Sequence, residues 1–92
     1  MKHQRHFGNA TAARGALQTK TLIADISRIV HILDSDIAAE EEQARIFDRT
    51  RAEYPILART MAARRDNLLN TITALQRRLS ELDQAELVAE PA

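Results

Sequence analysis

Leu22-Ile23-Ala24-Asp25-Ile26-Ser27-Arg28-Ile29-Val30-His31-Ile32-Leu33-Asp34-Ser35-Asp36-Ile37 is the stretch that decides the fold. Ile23, Val30 and Ile37 recur every seven residues, with Ile26 and Leu33 interleaved. Continued through Glu40, Ala44 and Phe47, this is the a/d seam of an amphipathic helix, whose spacing keeps one stripe turned towards a partner helix. A second seam has Ala58, Arg65, Ile72 and Leu79 at a and Met61, Leu68, Leu75 and Leu82 at d. Between them runs Asp48-Arg49-Thr50-Arg51-Ala52-Glu53-Tyr54-Pro55. Proline fixes φ, lacks the helix donor and pushes its predecessor towards extended backbone, so Pro55 opens a second helix and Tyr54 lies before it. Arg45 and Arg49 suit the negative end of the first helix.

The expected fold is therefore all-α: an antiparallel two-helix coiled-coil hairpin that pairs into a four-helix bundle. Residues 1–17 lack apolar periodicity and read as a basic flexible arm. Helix 1 is expected over about 18–47, a turn over 48–54, helix 2 over about 55–87 and a tail over 88–92. Composition agrees. Of 92 residues, 45% are apolar but only 3% aromatic, with two Gly and two Pro, which suits long helices rather than sheets. The absence of Cys excludes disulfides, thiolate nucleophiles and Cys-based metal sites. No apolar run approaches the roughly 18 residues of a membrane span. The basic N-terminus has no apolar h-region, so a secretory signal is not expected and the cytoplasm is the expected location. Charge is blocked along the chain: +4 over residues 1–20, −4 over 21–54, +4 over 55–79 and −4 from Ser80 onward. Such alternation suits a chain folded back on itself.

Antiparallel pairing sets an a residue of one helix opposite a d residue of the other. If paired residue numbers sum to 105, the layers become Ile23/Leu82, Ile26/Leu79, Val30/Leu75, Leu33/Ile72, Ile37/Leu68, Glu40/Arg65, Ala44/Met61 and Phe47/Ala58. The only acid of the first seam then meets the only base of the second. Sliding by one heptad separates Glu40 from Arg65, and an unpaired charge in a seam costs several kcal/mol on the order-of-magnitude scale. Glu40/Arg65 is thus the expected register pair. Arg65→Glu should destabilise the fold and Glu40→Arg should partly restore it. A single long helix passing through Pro55 could swap into an antiparallel dimer with the same layers, at about 3 kcal/mol for an interior proline.

Helix 1 carries more apolar side chains than one seam can bury. Leu22, Ile29, Ile32 and Ile46 fall at g and c positions beside the seam, and helix 2 adds Leu57 and Leu69. Two helices alone rarely bury enough surface to be stable in water. These six residues are the expected interface, covered by a second copy, by another helical protein or by the N-terminal arm folding back.

Signatures of chemistry are sparse. Consecutive Glu40, Glu41 and Glu42 point about 100° apart on a helix and cannot converge on one ion. No Glu-x-x-His pair supports a di-iron site. His3 and His6 are three apart in the arm, His31 is at a surface b position, and no triad has a loop to organise it. Arg28, Arg64 and Arg65 match no arginine-lined catalytic motif, so no enzyme, cofactor or metal is expected. Arg59, Arg77 and Arg78, with the basic arm, are the candidates for nucleic-acid contact through counterion release. Zero net charge, interleaved acids and scarce aromatics argue against such a footprint. Membrane-surface binding by the arm is disfavoured because it lacks a strong apolar face.

The stretch Ile32-Leu33-Asp34-Ser35-Asp36-Ile37-Ala38-Ala39-Glu40-Glu41-Glu42, followed by Tyr54-Pro55 and Arg64-Arg65-Asp66-Asn67-Leu68, resembles short helical-hairpin proteins of rhizobial-type α-proteobacteria. The resemblance covers about half the chain and implies a bacterial origin without a mechanism. The expectation is a non-enzymatic protein–protein interaction module: a homodimeric adaptor, scaffold or small regulator. The alternative is a small helical regulator associated with nucleic acid.

Overall fold

The computed structural model describes the backbone of residues 2–89 and the side chains of residues 11–85. It has two helices, α1 (Lys2–Ala44) and α2 (Ile56–Ala89), and no strand among the described residues. Residues 90–92, the end of the expected tail, lie outside that description. The chain forms two compact units, Ile26–Thr71 and Met1–Asp25 with Ile72–Ala92, each drawing on both helices.

In the Ile26–Thr71 unit, Ile26, Val30, Leu33 and Ile37 are buried at the a and d positions that the heptad assigned them. Ile37, Tyr54, Ala58 and Ala62 form one cluster, with Ile46 and Met61 packed against it. Tyr54 is 2% exposed and Ala58 is fully enclosed, so a small residue on α2 makes room for the ring before it.

The reversal is longer and begins earlier than the sequence suggested. Arg45 adopts φ 60°, the left-handed conformation that commonly ends helices, and α1 stops at Ala44 rather than near residue 47. Two turns follow, closed by Arg51 N–H to Asp48 C=O and Tyr54 N–H to Arg51 C=O, each 3.2 Å. The Asp48 carboxylate accepts from the Thr50 amide at 2.9 Å and the Thr50 hydroxyl at 2.7 Å, an Asx-type lock. Both bonds favour the charged form and hold the Asp48 carboxyl below its ordinary value. Pro55 then accepts the Arg59 amide at 3.0 Å, as expected where a helix begins.

This turn corrects the register. Arg65, expected against Glu40, meets the Asp34 carboxylate at 3.1 Å, nearly one heptad earlier on α1. Ile37, expected against Leu68, lies with Ala58 and Ala62. Phe47, expected in a layer with Ala58, is exposed, and Tyr54 holds that place instead. An early end to α1 and a buried Tyr54 move the centre of the reversal towards the N-terminus, and the opposed residues shift with it. Electrostatics does not forbid the shift, because Asp34 and Asp66 both reach Arg65 from the seam margin.

In the other unit, the segment expected as a flexible arm is helical from Lys2. Ala16 is buried and Ala12, Gly15 and Thr19 are half-buried, continuing the heptad in small residues. Gly15 faces Leu82: a Cβ built there would lie 3.6 Å from both Leu82 methyl carbons. Leu82 had been expected against Ile23. The side chains of Lys2, His3, Arg5 and His6 lie outside the described residues.

Candidate functional site

The two flanks of the Ile26–Thr71 hairpin differ in chemistry. In an antiparallel pair the e positions of both helices lie on one side of the seam and the g positions on the other. On the e side, Tyr54 donates its phenolic hydrogen to Glu41 Oε2 at 2.8 Å. The Arg59 guanidinium lies 5.3 Å from the Tyr54 ring centre and donates to the Arg51 carbonyl at 3.2 Å. Burial, then the Glu41 carboxylate, raises the Tyr54 phenol above its ordinary value, since both disfavour a second negative charge.

About two turns along, Arg65 bridges Asp34 and Asp66, each at 3.1 Å. Its side chain is only 16% exposed, and the bond to Asp34 leads the causes that raise its already high pKa. Neither Asp34/Arg65 nor Glu41/Tyr54 was identified from sequence. Glu40, the expected partner of Arg65, is half-buried. The three consecutive glutamates thus divide: Glu40 sits at the seam margin, Glu41 receives Tyr54, and Glu42 pairs with Arg45 at 2.8 Å. A single Tyr directly before a Pro was the available sign that this side chain would enter the core at the turn.

The g side is open. Ile29 and Leu57 at g and Ile32 at c are exposed, Ile32 to 60% and Leu57 to 55%. Ile46, expected on the same surface, is instead half-buried against the core cluster, because α1 has ended and the chain has turned inward. Leu69 is exposed but occupies an e position, so it belongs to the other flank. Ile56 and Phe47 are exposed as well, although Phe47 falls at a d position of the heptad. In the second unit Leu22 is exposed as expected and Leu17 joins it.

The candidate nucleic-acid arginines do not behave alike. Arg59 is occupied by Tyr54 and the turn carbonyl, Arg78 lies 3.8 Å from Glu81, and Arg77 is exposed. An open groove of about 680 Å³ beside Gly15 and Leu82 has Arg14 and Arg78 in its lining. Among the described residues, no three His, Asp or Glu side chains lie close enough to share a metal ion. No helix, among the described residues, is long and apolar enough to cross a membrane. Comparison with known protein families, curated proteins and solved structures returns no match to this chain.

Proposed function

We propose that this chain is a non-enzymatic protein–protein interaction module, a cytoplasmic, bacterial adaptor, scaffold or small regulator that works as a homodimer. The observation that carries the reading is the open g flank, where Ile29, Ile32 and Leu57 meet solvent beside a narrow core. Apolar side chains aligned on one face of a small helical protein favour burial against another helix face, each contributing about 1.5–3 kcal/mol if fully covered. Two hairpins placed face to face would form a four-helix bundle and close this flank.

The nucleic-acid alternative is less well supported, since Arg59 is spent within the turn and Arg78 has an acidic neighbour. Light scattering on the full-length chain tests the proposal. The expected mass is that of two chains, and Ile32→Ser should lower it towards one while helix content stays the same. A single-chain mass at all accessible concentrations overturns the homodimer. A salt-dependent gel shift of DNA or RNA, lost in Arg77→Ala/Arg78→Ala, would transfer the conclusion to the alternative.

A further inference from the structure

The open flank also carries an orientation signal. Between Ile26 and Thr71, the g and c positions of α1 are Ile29, Ile32, Asp36, Ala39 and Gln43. Those of α2 are Leu57, Thr60, Arg64, Asn67 and Thr71. This face therefore holds one acid, on α1, and one base, on α2. Both are exposed, and neither has an ion pair with another described residue, whereas Arg65 in the seam has two.

A second copy can approach with α1 on α1 or with α1 on α2. The first arrangement places like-charged stripes together, which interfaces avoid because juxtaposed like charges are costly. The second brings the acid of each copy to the base of the other, and two-fold symmetry makes that contact twice. Resting on the self-association proposed above, we infer that the second copy seats on the g flank with its α2 against α1. Asp36 then pairs with the partner's Arg64 and Arg64 with the partner's Asp36. The apolar side chains Ile29, Ile32 and Leu57 supply the burial, and the paired charges select the arrangement.

Charge exchange between chains tests this. Asp36→Arg alone sets arginine against arginine in the dimer, and Arg64→Asp alone sets aspartate against aspartate. Each variant should keep its helix content, both sites being exposed, and raise the dimer dissociation constant at least about tenfold. Mixing the two should restore wild-type affinity in a hybrid dimer, because both contacts become attractive again. A pair formed within one chain would give no such recovery on mixing.

The absence of native cysteine allows a second measurement. On oxidation, Asp36→Cys mixed with Arg64→Cys should cross-link into hybrid dimers faster than either variant alone. A wild-type chain that is monomeric overturns self-association and this inference together. A dimeric wild type whose charge variants stay dimeric, do not recover on mixing, or cross-link best as Asp36→Cys with itself overturns only the arrangement.

Discussion

On one flank of the Ile26–Thr71 hairpin, Asp34 reaches across to Arg65 and Glu41 receives the Tyr54 hydroxyl. On the other, Ile29, Ile32 and Leu57 face solvent with Asp36 and Arg64 between them. Both flanks are built from the same heptads, so helix periodicity alone does not separate them. The difference lies in how each flank meets its needs. Long polar side chains and one aromatic ring can span an antiparallel pair and satisfy each other within the chain. Aliphatic side chains at g are too far from the seam to be covered by their own hairpin. A flank that closes on itself fixes the fold, and a flank that cannot do so favours a partner.

Three substitutions and two titrations would break or sharpen that contrast. Tyr54→Ala should have the largest effect, a loss of about 3 kcal/mol in urea unfolding followed by circular dichroism, because it empties the centre of the turn cluster. Tyr54→Phe should recover most of it. If Tyr54→Ala left stability unchanged, the closed flank would not be what holds the reversal. Arg65→Glu should cost about 2 kcal/mol, reduced from a fully buried case because Asp34 is half exposed. Asp34→Arg should rescue it and Glu40→Arg should not. Rescue by Glu40→Arg would restore the register expected from sequence. Ile32→Ser, on the open flank, should change the stability of a monomer by no more than about 0.5 kcal/mol while weakening self-association.

The smallest effects are those of pH. The Tyr54 phenol is raised in the folded state, so the folded chain holds this proton more tightly than the unfolded one. Its contribution is complete below pH ~10 and declines as pH rises through the folded value, and Tyr54→Phe should remove that alkaline loss. The Asp48 carboxyl is lowered, so its contribution is present above pH ~4 and fades as pH falls through its folded value. Thr50→Ala should flatten part of that acid limb, since it removes the hydroxyl bond to Asp48, the larger cause of the shift, and keeps the bond from the amide.

The heptads at Ile26, Val30, Leu33 and Ile37 were legible because large aliphatic side chains announce their spacing. Ala12, Gly15, Ala16 and Thr19 continue the same helix, yet they were read as an arm because small residues carry almost no hydropathy contrast. Close approach to Leu82 gives Gly15 a role only once the helices are side by side. The exposure of Leu22, Ile29, Ile32, Leu57 and Leu69 also followed from position, while Ile46 failed because its helix ended first. Glu40/Arg65 was the most specific expectation and was misplaced. It rested on charge matching, whereas Asp34 and Asp66 could serve Arg65 from the edge of the seam.

What the sequence by itself determined is the existence of two amphipathic helices, the stripe each one buries and the reversal around Tyr54-Pro55. Those features depend on local periodicity and on proline geometry, both of which are written within a few residues. The tertiary structure alone decided which layers oppose each other. Register depends on where Arg45 ends α1 and on whether Phe47 or Tyr54 fills the space above Ala58. That competition between two aromatic side chains for one site is settled by packing, since both heptads share a phase and a slide of one heptad leaves every stripe facing inward.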